Sequence, residues 1–392
     1  MNFLRRFYQQ KTERPGSYSL VDIGRDTVKV AVILLTPGAP EPQLVGYGLA
    51  ETGGHDITGG RLEAAAVTDS VNTALIQAED STEAVVGQKI VPDHVIFALA
   101  GRATVGKLFT VRQTRSSPTL PVSVKELNQL RTRAERLVRQ GLVQLPVEGG
   151  QWRALAFNDA GLRLDEHLVL EGVGLTGNEI SLSVFGVAGH AGAWRALEVL
   201  ADRLDLVIAN IIAAPQALAS IVPFSEAVVL DTGESGTTVC LIRDDSLVAT
   251  GWLPFGGGYF TQALAQAAEI DADRAKELQY ALTNGKLDQS EAVDLNACLE
   301  YARERWYQAV IEMLVELSAE QLLPWKICLT GRGNLLPGLD KLLKSDPTPF
   351  QRAPEISRLG PRPPTDIKDL TDGLDYDLFS LALSLTVGLP EL

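Results

Sequence analysis

The sequence is poor in the side chains that most often carry chemistry, with three cysteines and four histidines among 392 residues. Cys240, Cys298 and Cys328 are too few and too far apart for a disulfide framework or a zinc site. Two of them lie in apolar runs, so they read as small core side chains. His55, His94, His167 and His190 are scattered, without HExxH or Cys/His ligand spacing, which argues against a zinc enzyme. No G-x-S-x-G elbow occurs, so a hydrolase triad has no anchor. No apolar run reaches the ~20 residues that span a bilayer. The opening Met1-Asn-Phe-Leu-Arg-Arg-Phe7 has basic residues inside its short apolar stretch and no cleavable h-region. Basic residues are in deficit as well: 35 Lys and Arg against 49 Asp and Glu give −14, so no nucleic-acid partner is expected. The chain reads as soluble and cytoplasmic.

What is present is apolar material. At 45% hydrophobic and 21% charged, the chain is too rich in core residues and too sparsely charged to be disordered. It is also longer than the ~250–300 residues at which single cores stop growing. Residues 17–35 read as strand, turn, strand, with Asp22-Ile-Gly24 as the turn and Val28, Val30 and Val32 alternating behind it. Helical spacing covers 60–78, followed by an acidic connection to about residue 92. An apolar β run spans 94–100, and a charged helix covers 124–140 with Leu127, Leu130, Ala134 and Leu137 on one face. Strand-like stretches follow at 166–173 and 179–187, a helix at 194–203, a buried-type strand at 206–213 and a short helix opened by Pro215. Helices at 261–283 and 290–322, a proline-bearing surface loop at 352–372 and an apolar helix at 374–387 complete the chain.

The opening motif returns 209 residues later. Val228-Val-Leu-Asp231-Thr-Gly233-Glu-Ser-Gly-Thr-Thr238 again reads strand, Asp-x-Gly turn, β-branched strand. That period is far beyond the ~20–50 residues of a solenoid and points to two related domains facing one another. Each turn sets backbone N–H groups beside glycines and hydroxyls (Thr27, then Ser235, Thr237 and Thr238), an arrangement that cradles phosphate oxygens. Asp22 and Asp231 stand at strand ends, where they could hold hydrated Mg²⁺ or orient water. By contrast, Gly101-Arg-Ala-Thr-Val-Gly106-Lys107-Leu108 is not a phosphate loop. Leu108 stands where Mg²⁺ needs a hydroxyl, and a strand rather than a helix follows.

In their chain order, Asp22-Ile-Gly24, Asp231-Thr-Gly233 through Gly236-Thr-Thr238, and Leu329-Thr-Gly331-Arg332-Gly333 resemble the two phosphate motifs and the adenosine motif of the actin, sugar-kinase and heat-shock-chaperone ATPase superfamily. Within it the chain most resembles the bacterial cell-division family FtsA. Leu253-Pro-Phe-Gly-Gly257 through Thr261 is similar to that family's Pro-x-Gly-Gly-x-x-x-Thr segment, and Ala272-Asp273-Arg-Ala-Lys276 to its ribose-flanking Ala-Glu-x-x-Lys.

The resemblance implies an α/β, actin-like (ribonuclease H-like) two-domain fold. Its expected parts are a basic segment at 1–16, a first domain from 17–92, 189–224 and 374–392, an inserted FtsA-type strand–helix–strand–strand subdomain at 93–188, and a second domain at 225–373 whose helical part spans about 261–323. It implies ATP and Mg²⁺ in the cleft, with Asp22 and Asp231 as catalytic and metal-holding carboxylates. The implied nucleotide contacts are Gly24, Arg25, Thr27, Lys29, Gly233, Ser235, Gly236, Thr237, Thr238, Gly257, Asp273, Lys276, Gly331, Arg332 and Gly333. The implied role is a membrane-tethered scaffold that self-associates into dimers or filaments and binds the tubulin-like division protein FtsZ. A PilM-like adaptor of type IV pilus assembly, with a groove for a partner's cytoplasmic peptide, is the alternative. A sugar or acetate kinase would need a substrate-binding insertion with a catalytic Asp, and none is found.

The motifs depart from the superfamily at definite places. Arg25 and Asp26 occupy the first turn, Glu234 and Ser235 replace two glycines of the second, and Arg332 replaces a glycine near adenine. A carboxylate ~4 Å from a phosphate costs about 1–4 kcal/mol at surface-like dielectrics unless Mg²⁺ or Arg25 offsets it, so at most a slow ATPase is expected. The alternative reading is that Arg25 pairs with Glu234 across the hairpins and clamps the cleft shut. With Leu392 directly after the last expected core helix, the C-terminal membrane helix usual in the FtsA family is expected to be missing. Phe3, Leu4, Phe7 and Tyr8, flanked by Arg5, Arg6, Lys11 and Arg14, form a basic amphipathic stretch. Residues 1–14 are therefore expected to supply peripheral contact with anionic lipid on the inner face of the cell membrane.

Overall fold

The structure is a computed structural model and describes residues 16–36, 38–55, 64–146, 151–319, 321–359 and 367–390. Nearly all of the expected N-terminal amphipathic segment lies outside them.

The first sheet grows from an antiparallel meander, β1 (Ser17–Ile23), β2 (Thr27–Leu34) and β3 (Gln43–Glu51). A 23-residue helix, α1 (Ala64–Val86), then carries the chain over to β4 (His94–Leu99), parallel to β1. Such a connection is needed because parallel neighbours cannot be joined by a hairpin. After a tight turn at Gly101–Ala103, a second unit begins: β5 (Thr104–Thr114), α2 (Val124–Val143), β6 (Trp152–Leu164), β7 (His167–Val169) and β8 (Glu179–His190), with strand order β5-β8-β6-β7. Helix α2 starts at Ser123, whose side chain accepts from the Glu126 amide, and it buries Leu127, Leu130, Ala134, Val138 and Leu142 on the sheet.

The chain returns through α3 (Ala191–Arg203), β9 (Val207–Ala213) and α4 (Ala214–Ser220), with β9 parallel to β4. The second sheet repeats the first: meander β10 (Ala227–Thr232), β11 (Thr237–Arg243) and β12 (Ser246–Leu253), then a helical crossover of α5 (Gly257–Ala268), α6 (Ala272–Thr283) and α7 (Gln289–Leu317) to β13 (Lys326–Thr330), parallel to β10. Helix α7 opens on a capping box between Asp288 and Glu291. After α8 (Leu339–Leu343), β14 (Glu355–Arg358) extends this sheet, and β15 (Lys368–Asp369) crosses back to pair with β3. Helix α9 (Tyr376–Ser384) closes the chain against the first sheet, on the face opposite α1 and α3.

Several expectations need correction. Strand β4 lies in the six-stranded sheet, so the inserted unit begins near residue 101 and not 93, and the first-domain segment at the end of the chain begins with β15 and not at 374. Helix α1 continues through the acidic stretch to Val86, closed by Thr82, whose buried hydroxyl receives the Ile90 amide at 2.7 Å. On α2 it is Val138 that is buried, whereas Leu137 is 40% exposed. The helix expected at 261–283 breaks at Glu269, which adopts φ 53°. The 352–372 loop contributes two short strands. Cys240 and Cys328 are core residues of central strands, and burial pushes the Cys240 thiol up to about 12. Among the described residues no helix is long and apolar enough to cross a membrane.

Candidate functional site

The two meanders present their first turns to one another. In β1–β2, Asp22 pairs with Lys29, and the turn is closed by the Gly24 amide donating to the Thr27 carbonyl at 3.0 Å. In β10–β11, Asp231 pairs with Thr238 and the Gly233 amide donates to the Gly236 carbonyl at 2.9 Å. These bonds use one amide of each turn. The amides of Arg25, Asp26, Glu234 and Ser235 donate to no group among the described residues. Each turn thus keeps N–H groups without a protein partner among the described residues, as in turns that bind anions.

The carboxylates sit behind these turns. Asp22 is 6% exposed and accepts from Lys29 Nζ at 3.0 Å. Burial and the charge of Asp22 raise the Asp231 carboxyl from 3.8 to about 6, with Lys29 offsetting part of the rise. One lysine against two facing carboxylates leaves negative charge unmet, and a divalent cation fits that deficit. A group with a pKa of about 6 can also accept a proton from a polarised water near neutral pH. Asp22 and Asp231 are a pair without a third ligand: no cluster of three or more His, Cys, Asp or Glu groups able to hold a metal occurs among the described residues. Any Mg²⁺ held here would therefore take its remaining ligands from water and phosphate, as that ion usually does.

The third glycine turn closes the site from below. Gly331 follows β13 with φ 81°, and a methyl group there would lie 2.6 Å from Asp231 Oδ1 and 2.5 Å from the Thr232 carbonyl oxygen. Only glycine lets this turn reach the Asp231 strand end. Gly256, just before α5, is equally confined, since a methyl at its Cα would lie 2.5 Å from the Gly233 oxygen. The amides of Gly257 and Gly258 donate to the Gly233 and Glu234 carbonyls at 2.8 and 3.0 Å, so the start of α5 supports the second turn.

Glu234 is not a bare charge thrust at a phosphate. Its carboxylate lies over the first residues of α5, where a methyl on Gly257 would come within 2.6 Å of Oε2. Negative charge is favourable at such a helix start. Burial and Asp26 raise its pKa, while Lys276, Arg25 and Arg332 pull it down. The Arg25–Glu234 pair, the alternative reading of the sequence, is not formed. The ion pair across the cleft joins Asp26 of the first turn to Lys276 of α6. Arg332 stands over the Tyr280 ring, 5.2 Å from its centroid.

Asp22, Lys29 and Asp231 thus interact with one another, Arg25, Lys276 and Arg332 all act on Glu234, and Gly24, Gly233, Gly257 and Gly331 shape the turns beside them. Others take different places. The Thr237 side chain points inward: its hydroxyl donates to the Phe255 carbonyl at 2.6 Å and accepts from Trp306 Nε1 at 3.0 Å, so it positions the turn and is not a ligand contact. Gly236 and Gly333 are buried beneath the turn, and Thr238 is 5% exposed. Asp273 is exposed on α6, away from any ion pair among the described residues. The sequence marks Asp26 only as a departure in the first turn and Trp306 not at all, because their partners Lys276 and Thr237 are 250 and 69 residues away.

No protein-family profile matches the chain, and no curated protein matches it. Solved structures do. A chain of a PilM–PilN type IV pilus biogenesis complex aligns over 97% of this chain and 100% of its own at 20% identity, with a TM-score of 0.66. A diol dehydratase-reactivating factor in nucleotide-free form aligns over 96% and 99% at 11% identity, with a TM-score of 0.53. The fold is actin-like. In this actin-like frame Asp22 and Asp231 occupy equivalent hairpin positions of the two halves.

The Asp26–Lys276 bridge spans the cleft with side chains 35% and 54% exposed. Pairs this exposed contribute ~1 kcal/mol or less. Lys276→Ala is therefore expected to leave stability within ~1 kcal/mol while speeding exchange of the Gly24 amide, which is bonded to the Thr27 carbonyl. Unchanged exchange there would show that the bridge does not hold the cleft.

Proposed function

We propose that this chain is a nucleotide-binding adaptor that holds ATP with Mg²⁺ between its two halves and responds to it by closing on the ligand. One observation carries the reading: two carboxylates face one another behind two turns whose remaining amides are free. Asp22 and Asp231 would hold hydrated Mg²⁺, the turn amides and Lys29 would receive phosphates, and Arg332 with Tyr280 would border the base. Mg²⁺ would supply charge neutralisation and polarise a water. Lys276 would leave Asp26 when phosphate enters, since both compete for the same ammonium.

The likeness to a chain of a PilM–PilN complex, complete over both chains, supports placing this adaptor in type IV pilus assembly, ahead of the division-scaffold reading. Partner binding is the working role in this view. Turnover is accordingly expected below about 1 per second, under the ordinary enzyme range.

Millimolar ATP with Mg²⁺ should raise the melting temperature, because a ligand bound only by the folded state stabilises it by mass action. ATP with excess chelator should do so much less. A folded sample whose melting point ignores Mg·ATP would exclude a nucleotide role.

A further inference from the structure

A second concave surface lies outside the cleft, on the inserted unit. Two adjoining hollows of about 740 and 390 Å³ run between α2 and β5. Strand β5 is an edge of its sheet: it pairs with β8 on one side and, among the described residues, with no strand on the other. The hollows are walled by Thr110–Gln113 of this edge and by the exposed flank of α2. A groove between a free strand edge and a helix is the shape that accepts an extended peptide by strand addition.

Its charge is the reverse of the molecule's. Residues 101–189 hold 11 Lys and Arg against 8 Asp and Glu, whereas the remainder holds 24 against 41. No acidic residue lines either hollow, while Lys125, Arg133, Arg136 and Arg112 do. Arg112 is answered by Glu179 at 3.4 Å and Glu166 at 3.7 Å, and Arg133 donates across the groove to Gln113 Oε1 at 2.9 Å. Lys125 and Arg136 have no acidic partner among the described residues. The other basic residues of α2 work elsewhere: Arg131 reaches Asp159 at 3.6 Å and Arg139 covers the Phe157 ring.

Each end of the groove is apolar, with Val124 60% and Leu137 40% exposed. About thirteen helical residues separate them, roughly 20 Å, which an extended chain covers in about six residues.

We propose that the groove between β5 and α2 docks an extended acidic segment of a partner protein, about six residues long, paired to the β5 edge and anchored by an apolar residue at each end. The observations favour a peptide over a lipid surface or a nucleic acid, since neither of these can use the free backbone of a strand edge. This deepens the adaptor reading by naming the partner segment. The two fail separately: loss of stabilisation by Mg·ATP with peptide binding intact removes the nucleotide, and the converse removes the groove.

The test uses the full chain and a displayed library of random octapeptides. Enriched peptides should carry several Asp or Glu between apolar residues. Synthetic copies should bind at least about tenfold more weakly to Arg133→Glu/Arg136→Glu and at raised salt. Arg131→Glu, on the other flank of α2, should bind them as the parent does. Amides of Thr110–Gln113 should gain exchange protection in the complex. The proposal is overturned if no peptide is enriched, if enriched peptides are not acidic, if the double variant binds them within about twofold, or if only anionic vesicles or a second copy of the chain respond to the charge reversal.

Discussion

Exchanging Asp231 for asparagine is expected to stabilise the ligand-free protein at pH 7 by up to about 3 kcal/mol. Burial and the facing Asp22 hold the folded-state carboxyl near 6, against 3.8 ordinarily. A raised carboxyl pKa means that the fold disfavours the ionised form. The penalty is absent below pH 3.8, where the group is protonated in both states. It grows between 3.8 and about 6 and is complete above that. Asparagine keeps the shape and never ionises, so the stability gap between variant and parent should widen from about pH 4 to 6.5 and then stay flat. With Mg·ATP the order should change, because the cation relieves the same repulsion in the parent and the variant has lost half of its site. Urea melts at about pH 4.5 and 7.5 check the first part. A gap equal at both values would show that the two carboxylates do not oppose one another.

Trp306→Ala is expected to cost about 3–5 kcal/mol, the usual range for truncating a large buried aromatic. Trp306 is 0% exposed in the core between the second sheet and α5–α7, and it is the donor that holds Thr237 at 3.0 Å. The substitution therefore removes packing and loosens the turn that carries Gly233 to Gly236. Trp306→Phe keeps most of the packing and loses the hydrogen bond, for about 1 kcal/mol. Nucleotide affinity should fall in both variants, and more in the alanine one. Equal affinity in Trp306→Ala and the parent, both folded, would show that the turn is shaped without this support.

Much of the scaffold is readable because local chemistry and global role agree. Both first hairpins combine an Asp-x-Gly turn with β-branched alternation, and their chain order carries the fold. Strand β6 is not readable in this way. Register shifts between Ala154 and Ala156 and between Asp159 and Gly161 break its period of two, so no alternation marks its 13 residues. The end of α1 is hidden for the opposite reason. Its last turns are acidic and polar, and it is held by the buried Thr82 hydroxyl. The motifs mark the cleft but mislead at Thr237, because a threonine in a phosphate-type turn reads as a ligand until Trp306 is seen donating to it. The Asp26–Lys276 bridge and the placement of Glu234 over α5 arise only when segments far apart in the chain come together.

Whether a cation enters between Asp22 and Asp231 can be read from protons, by calorimetric titration of Mg·ATP into the full chain at about pH 6 in two buffers of different ionisation enthalpy. Near that pH about half of the Asp231 carboxyls carry a proton, which a cation at the pair must displace. Saturable binding is expected, with release of a fraction of a proton that falls away at about pH 8 and is absent in Asp231→Asn. Binding heat that is independent of buffer at about pH 6, or no binding by folded protein, would show that the two carboxylates do not form a cation site.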